Sequence, residues 1–517
     1  QRDNAKTEAK TAEQVSDFMI DLFEVSDPDK ALGDTITVRE ILDKGAEKIY
    51  DELEDQPEVQ VKLMSTMAHV YQNLGLYDIA EPLFENALEK KTKLFGKNSL
   101  ETAIYTNDLA NNYYYKNEYN TAESLYVKAI ALTRNFESEK DTLLATYLVN
   151  LGNLKSDIGK FEEAESFFND AMIIFKKHLG EDNWNTVNCL TNIGGLKYRM
   201  GDILGAEQIF TEVLQIHRNI YGNIHPTIAT DLNNLAGMKE NLGDLSSADT
   251  LMREALSVNR KIYGEKHPTV TRCLNNLGKI LYKKRQYEES EILYKEALQI
   301  NREMYGNENP SVAISLNNLA TLYVDTEKLD KAEVLYEEAL QINKKLYGEF
   351  HPEIATNLHN YSKLLNMKGD SEKAEVMSRE ALKIFRSFVG DVHPAIATIS
   401  DNLVKILITQ GKYIEAEEIM REIIEIRVQV LPADSWMITD SKAKWGNCLT
   451  KLKRYEEAET ILLESYPILK LEPGEDHPVT KATLKYIINL YDAWNKPNKV
   501  KEYERLLNES KTVSESK

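Results

Sequence analysis

Apolar residues along the chain recur at helical spacing, in pairs of stripes separated by short polar breaks. Leu232, Leu235 and Ala236 are spaced i, i+3 and i+4, which is typical of one face of an α-helix. The Leu-Gly-Asp sequence at 242–244 interrupts this stripe, and a second one begins at Ala248. The pattern therefore predicts a helix, a tight turn and a second helix, followed by a longer loop.

The same pattern repeats every 42 residues. GNIHPTIATDLNNL occupies residues 222–235, GEKHPTVTRCLNNL occupies 264–277, and GNENPSVAISLNNL occupies 306–319. One alanine marks the second helix of each unit, with a single serine exception and no insertion or deletion. Its positions are Ala80, Ala122, Ala164, Ala206, Ala248, Ser290, Ala332, Ala374, Ala416 and Ala458. A fixed period of this size predicts stacked units, each of which buries its apolar face against its neighbours.

Small and large residues alternate in a way that predicts close helix packing. Ala236, Ala248 and Ala255 are small, and small side chains at helix contacts allow two backbones to approach. The position four after the marker alanine is large, and we interpret it as core. It reads Phe84, Tyr126, Phe168, Phe210, Met252, Tyr294 and Tyr336.

These offsets resemble the tetratricopeptide repeat, whose usual unit has 34 residues. The 42-residue form, with its H-P, L-N-N-L-A and Y-x-x-A-E-x-L-Y motifs, resembles the kinesin light chain type of repeat over residues 57–508. The resemblance implies an all-α, right-handed superhelical solenoid of about eleven helix-turn-helix repeats. We expect residues 1–56 to form a helical N-terminal cap or linker and residues 509–517 a disordered tail.

Residues 1–56 carry a second resemblance. VSDFMIDLFEVSDP and TVREILDKGAEKI are similar to the segment that joins a membrane-anchored bacterial serine/threonine kinase to its repeat region. The chain itself has no Gly-rich phosphate loop, no H-R-D and no D-F-G motif. Because it begins at Gln1, it can be a piece of a longer protein in which a kinase domain precedes the repeats.

Composition narrows the classes of partner. The formal net charge of −20 argues against nucleic acid, whose phosphates need clustered Lys and Arg. Cys189, Cys273 and Cys448 cannot form a disulfide framework, and no apolar stretch is long enough to span a bilayer. We predict no cofactor, no metal, no membrane insertion of this fragment and no catalysis within it.

Five of the nine histidines precede a proline, and a proline suits the first turn of a helix. The residue before proline is driven out of the helical conformation, so each His-Pro predicts a helix start. A zinc site would need ligands within about 2 Å of one ion. Equivalent histidines of neighbouring repeats lie about 10 Å apart, roughly a helix diameter, which favours capping over metal binding.

Asparagines recur on the first helix of the repeats, where tetratricopeptide repeats line their concave groove. One column reads Asn150, Asn192, Asn234, Asn276, Asn318, Asn360 and Asn402, and the position before it holds Asn107, Asn233, Asn275 and Asn317. The family resemblance implies that such amides clamp the backbone of a peptide, since each offers a donor and an acceptor. The alternative is structural, with each asparagine tying one repeat to the next.

Basic residues on the same helices suggest the chemistry of a ligand. Arg272, Lys279, Lys363 and Lys405 would form a basic stretch on an acidic molecule. Our hypothesis is that the groove between them takes an extended protein or peptide segment carrying acidic residues. The alternative is that these are ordinary solvated side chains.

Three functions are compatible with the sequence. The first is a non-catalytic protein-binding scaffold, the repeat region of a larger bacterial signalling protein. The second is the regulatory arm of a serine/threonine kinase, and the third is a motor adaptor like kinesin light chain. The location would be cytoplasmic for a stand-alone chain and extracytoplasmic for the arm of a transmembrane kinase.

Overall fold

The structure is a computed structural model that describes residues 55–136, 141–475 and 477–514, together with single positions between 43 and 53. In this part of the chain 22 helices follow one another and no residue lies in a β-strand. The prediction of an all-α solenoid built from helix-turn-helix repeats is confirmed.

Each repeat has a first helix, with an odd number here, and a second helix, with an even number. The bounds are α1 Pro57–Asn73, α2 Tyr77–Phe95, α3 Leu100–Tyr115, α4 Tyr119–Thr133, α5 Asp141–Asp157, α6 Phe161–Leu179, α7 Trp184–Arg199, α8 Ile203–Tyr221, α9 Pro226–Asn241, α10 Leu245–Tyr263, α11 Pro268–Lys283, α12 Tyr287–Tyr305, α13 Pro310–Asp325, α14 Leu329–Tyr347, α15 Pro352–Met367, α16 Ser371–Val389, α17 Pro394–Thr409, α18 Tyr413–Val430, α19 Trp436–Lys451, α20 Tyr455–Leu469, α21 Pro478–Ala493 and α22 Pro497–Ser514.

The chain divides into two compact units, residues 1–251 and residues 252–517. The first unit, unit 1, holds α1 to α9 and the start of α10. The second, unit 2, holds the rest of α10 and the helices that follow.

Each His-Pro begins a first helix, as predicted. In unit 2 the Nδ1 atom of His267 accepts a hydrogen bond from the backbone N–H of Thr269, at 3.3 Å, and so caps α11. The ring of His267 also stacks on Tyr263 with centroids 4.1 Å apart. Asn309 occupies this column in the next repeat and caps α13 through the Ser311 N–H, at 2.9 Å. His267 therefore acts as an N-cap whose ring is held by an aromatic neighbour.

Small residues of the first helix lie against large residues of the second, as the sequence predicts. Gly278 of α11 leaves room for the ring of Tyr294, since a Cβ atom on Gly278 would lie 2.6 Å from the Cε1 atom of that ring. In the next repeat Tyr336 is 2% exposed and its hydroxyl lies 2.9 Å from the Thr321 hydroxyl. Large rings thus fill the space inside each helix pair while their polar ends stay hydrogen-bonded.

One repeat departs from this rule. The large column continues to Ser378 of α16, which is fully buried and whose hydroxyl has no hydrogen-bond partner among the described residues. The small position of the same repeat is Ser362, also fully buried, and its hydroxyl donates to the carbonyl of His359 at 2.7 Å. The helix pair α15–α16 is therefore more polar inside than its neighbours.

Ion pairs connect successive second helices of unit 2. Arg302 of α12 pairs with Glu338 of α14 at 2.5 Å, and Arg386 of α16, two periods later, pairs with Glu422 of α18. In both pairs the acid follows the base by 36 residues, so the 42-residue period repeats the contact. These pairs are partly solvated, and each contributes less than about 1 kcal/mol to stability.

Described residues before α1 contact α1, and the last helix continues beyond the predicted repeat boundary. Ile49 is fully buried, its carbonyl accepts a hydrogen bond from the Gln60 side chain at 2.8 Å, and the hydroxyl of Tyr71 donates to Asp43 at 2.7 Å. The last helix, α22, runs to Ser514, past the boundary predicted at 508. Most of residues 1–56 lies outside the described residues, so the cap, linker and tail boundaries stay predictions.

Candidate functional site

The first helices of unit 2 contact one another in sequence, α11 with α13, α13 with α15 and α15 with α17. Residues 42 apart occupy equivalent places on neighbouring first helices. The surface of these four helices between Arg272 and Lys405, which we call the first-helix face, carries most of the predicted binding residues.

The predicted asparagines form hydrogen bonds between neighbouring first helices. Asn318 Nδ2 donates to Asn275 Oδ1 at 3.5 Å, and Asn360 Nδ2 donates to Asn317 Oδ1 at 3.2 Å. In unit 1, Asn150 Nδ2 donates to the same position of the preceding repeat, at 3.0 Å. The two amides are 43 residues apart in all three cases, so each of these three asparagines donates to the other column one repeat earlier.

A second, buried layer of polar residues supports these amides. Asn301 of α12 donates to the Ser315 hydroxyl at 3.1 Å, and Asn275 donates to the same hydroxyl at 3.2 Å. One repeat later Asn343 donates to Asn357 at 2.5 Å. The contacts of Asn301 and Asn343 join the second helix of one repeat to the first helix of the next. The asparagine bonds described above join first helices only.

Sequence reasoning missed this layer, although a signal is present. Its partners are 14 residues apart, and the two positions tend to change together. In unit 1 the pair is His217 and Asp231, both 5% exposed, with Nδ1 and Oδ2 2.6 Å apart. In unit 2 the pair of Phe385 and Ile399 is apolar and packs in the core. A buried polar residue here has a polar partner, because an unpaired one would be costly.

The remaining predicted asparagines are less uniform. Asn234 Oδ1 accepts from Asn233 Nδ2 at 3.5 Å, Asn276 also interacts within the protein, and Asn192 is half-buried on α7. Asn402 is 5% exposed and donates to Ser362 Oγ at 2.8 Å. The observed contacts of the asparagines tie repeats together. For the half-buried asparagines, both the binding role and the structural role stay predictions.

The asparagine pattern is interrupted at His359, which stands one repeat after Asn317. This histidine is 8% exposed, and its Nδ1 atom is buried without a hydrogen-bond partner among the described residues. Burial, together with the positive charges of Lys363 and Lys405, lowers the pKa of His359 to about 3. The ring is therefore neutral at physiological pH.

Two of the predicted basic residues lie beside this histidine. Lys363 of α15 and Lys405 of α17 are exposed, and neither makes an ion pair with any residue that the structure describes. Loss of hydration lowers the pKa of Lys363, and the charge of Lys405 lowers it further, while Asp325 opposes the change. The two ammonium groups are thus close enough to repel each other, and this part of the face has an excess of positive charge.

The predicted basic stretch is discontinuous. Arg272 and Lys279 are exposed on α11, and Lys279 interacts within the protein. On α13, between the two groups, the equivalent positions are Ile314, which is 46% exposed, and Thr321. The first-helix face therefore has a basic pair on α15 and α17 that is separate from the one on α11.

Beyond Lys405 the charges neutralise one another. Lys444 Nζ lies 2.7 Å from Asp440 and 3.4 Å from Asp401, and Arg427 lies 2.5 Å from Asp401. Burial lowers the pKa of Lys444, but the nearby carboxylates of Asp401 and Asp440 together outweigh it, so the pKa is raised. This cluster has no excess charge to offer to a ligand.

Other chemistry has little support in the described ranges. They hold no group of three or more His, Cys, Asp and Glu side chains placed to bind a metal ion, and no helix there is long and apolar enough to cross a bilayer. The three cysteines are buried free thiols, and burial raises the pKa of Cys189 and Cys448 to about 12.

Family comparison agrees with the helix-turn-helix repeats. Tetratricopeptide repeat models match residues 60–135, 142–219, 226–303 and 311–387, and a further one matches residues 396–436. The chain belongs to the tetratricopeptide repeat family. Such repeats are generally non-catalytic scaffolds that bind proteins or peptides. No curated protein matches the chain significantly.

Solved structures similar to this tetratricopeptide repeat protein include kinesin light chain-like proteins. BtubC (BKLC) from P. vanneervenii is 22% identical, with a TM-score of 0.40, over 44% of this chain and 92% of its own. A Podosopora anserina kinesin light chain protein with nearly identical TPR-like repeats is 20% identical, with a TM-score of 0.34, over 40% and 99% of the two chains. Apo RapI is 17% identical, with a TM-score of 0.43, over 55% and 97%.

Proposed function

We propose that this chain is a non-catalytic scaffold whose first-helix face binds an extended acidic segment of a partner protein at α15 and α17. The observation that carries the proposal is the group formed by Lys363, Lys405 and His359. Two lysines of the protein surface lie beside a buried neutral imidazole, with no carboxylate paired to them in the described structure. A carboxylate of the partner would relieve the repulsion between the lysines.

The overall charge of the chain favours selectivity at this group. At a net charge of −20 most of the surface repels an acidic segment, so the basic pair is a local exception. Complementary charge guides encounter and rejects wrong partners more than it adds affinity. Ile314 and Thr321 on α13 would then contact a less charged part of the same segment.

The asparagine contacts support the proposal indirectly. Amides bridging α11 to α13 and α13 to α15 hold neighbouring first helices in fixed register. A binding surface held in its bound geometry loses less conformational entropy when the partner arrives. In this account the asparagines position the face, and the lysines provide its charge.

A direct test uses a fluorescein-labelled hexaglutamate peptide as the probe. Changing both Lys363 and Lys405 to Glu should weaken its binding, measured by fluorescence anisotropy, at least tenfold. The matched control changes Lys261 and Lys331 to Glu, since both are exposed lysines of second helices and the net charge changes equally. Equal weakening by the two pairs would show a general charge effect and contradict the proposal.

The bacterial kinase-arm hypothesis and the motor-adaptor hypothesis rest on other grounds. The kinase resemblance is carried by residues 1–56, most of which lie outside the described residues, and the adaptor hypothesis rests on the repeat type alone. Both stay predictions about the protein in which these repeats work.

A further inference from the structure

A pocket of about 570 Å³ lies between the second helices α16 and α18, on a different surface from the first-helix face. Leu382 and Ile419 form its apolar walls, and Ser400 and Leu403 of α17 form its floor. Ser400 is 1% exposed, and its hydroxyl has no hydrogen-bond partner among the described residues. We call this space the second-helix pocket.

The serine on the floor replaces a leucine of the repeat. Ser400 follows a column of leucines at the same position in six successive repeats, namely Leu148, Leu190, Leu232, Leu274, Leu316 and Leu358. Of these, Leu274, Leu316 and Leu358 in unit 2 are at most 2% exposed. Serine has two side-chain heavy atoms beyond Cα and leucine has four, so the repeat lacks the group that fills this space elsewhere.

An equivalent groove two repeats earlier provides an internal comparison. The space there is about 330 Å³, and it lies along α12, whose residues alone line it. Leu298 and Arg302 of that lining are the counterparts, 84 residues earlier, of Leu382 and Arg386. There Leu316 is fully buried in the place of Ser400. Of these two spaces, the larger one occurs where the column leucine is missing.

We propose that the second-helix pocket binds a leucine-sized aliphatic side chain of a partner protein. The leucine missing at Ser400 sets the size of this group. Burial of an aliphatic group against Leu382, Leu403 and Ile419 removes apolar surface from water and so favours binding.

The open mouth of the pocket favours a protein over a free small molecule. Lys383 and Glu418 on opposite walls are exposed, so a small ligand would keep one side in water. Val376 lies one helical turn before Arg379 on α16 and is 65% exposed, and Ile414 precedes Glu415 on α18 and is 69% exposed. A protein surface can cover these residues together with the pocket, which a leucine-sized molecule cannot.

Charges at the mouth complement a partner with one acid and one base. Arg379 and Glu415 pair across the groove at 2.5 Å, and Arg386 pairs with Glu422 in the same way. Lys383 and Glu418 make no ion pair with any described residue, although Lys383 lies 5.3 Å from the centre of the Phe350 ring. An acidic group near Lys383 and a basic group near Glu418 would flank the aliphatic anchor.

The test follows the methyl resonances of Leu382, Leu403 and Ile419 in the full chain by nuclear magnetic resonance. The probe is the capped peptide acetyl-Glu-Ala-Leu-Ala-Lys-amide, and its control has alanine in place of the leucine. We expect saturable shifts with the leucine peptide and at least tenfold weaker binding of the alanine peptide. No saturable shift, or equal shifts with both peptides, would overturn the proposal.

Two variants test the pocket itself. Ser400→Leu restores the repeat residue, so it should abolish the shifts while the urea midpoint of unfolding stays equal or rises. Ser400→Ala keeps the space, so the preference for leucine should persist. Unchanged binding to Ser400→Leu would contradict the proposal, and neither result depends on Lys363 or Lys405.

Discussion

Asn360 donates a hydrogen bond from its Nδ2 atom to Oδ1 of Asn317, at 3.2 Å, from the first helix of one repeat to that of the repeat before. The same Asn317 oxygen accepts a second hydrogen bond from Asn357, also at 3.2 Å. Asn317 thus links Asn360, which is half-buried, to Asn357, which is 3% exposed. The contact makes the predicted binding residues part of the framework between repeats.

This arrangement predicts unequal losses when the two amides are removed. Asn317→Ala leaves the buried Asn357 donor unpaired and should cost about 1–3 kcal/mol, whereas Asn360→Ala should cost about 1 kcal/mol or less. Hydrogen exchange of backbone amides in α13 and α15 is the suitable measurement, since repeat arrays unfold in parts. Equal losses of protection in the two variants would contradict this account of the network.

The histidine caps predict that asparagine can replace histidine. His267→Ala should destabilise the start of α11 by about 1 kcal/mol, because the Thr269 N–H loses its acceptor. His267→Asn should recover most of this loss, as Asn309 performs the same function in the next repeat. Exchange rates of the first-turn amides of α11 would check this. An asparagine variant as unprotected as the alanine variant would show that stacking on Tyr263, and not capping, is what matters.

Two helical glycines predict opposite effects of adding a methyl group. Gly278→Ala would place a Cβ atom 2.6 Å from the Tyr294 ring and should cost about 1–3 kcal/mol through overpacking. Gly237→Ala meets no atom within 4 Å and should gain about 1 kcal/mol from helix propensity. Urea denaturation followed by circular dichroism compares the two. A stabilised Gly278→Ala variant would mean that the ring can move aside.

The sequence predicted most of the fold because the 42-residue period repeats every contact. The alanine column, the His-Pro helix starts and the close approach at Gly278 were all visible as recurring residue types. The sequence does not predict whether Asn318 bonds to a ligand or to Asn275. That choice depends on the distance between two neighbouring first helices, which the sequence does not give. The buried pair of Asn301 and Ser315 was missed because the two residues lie 14 positions apart on different helices. They come into contact only when the helices pack side by side.

The excess positive charge at α15 and α17 was only partly predictable. Lys363 and Lys405 stood out as basic residues, but the sequence also grouped them with Arg272 and Lys279, from which α13 separates them. The effect of burial on His359 depends on packing around one ring, which no single column of residues reveals. Ser400 could have been found in the sequence as the residue that ends a run of six leucines.

His359 predicts a pH dependence of stability. Its pKa is about 3 in the folded chain and about 6.5 when unfolded, so the unfolded state binds more protons between these values. The free energy of unfolding should therefore fall as the pH drops from 6.5 towards 3. His359→Asn removes this contribution, so its urea midpoint should fall less than that of the wild type between pH 7.5 and pH 5. Parallel profiles would show that this ring can be protonated in the folded state.

The central claim, that α15 and α17 bind an acidic segment, can be tested by locating a bound peptide directly. A hexaglutamate peptide with a terminal benzophenone group would be photo-crosslinked to the full chain and the attachment sites mapped by mass spectrometry. Binding at α15 and α17 should place crosslinks on the first helices around Lys363 and Lys405. These crosslinks should be lost when both lysines are changed to Glu. Crosslinks that fall mainly on second helices, or that survive the double change, would contradict it.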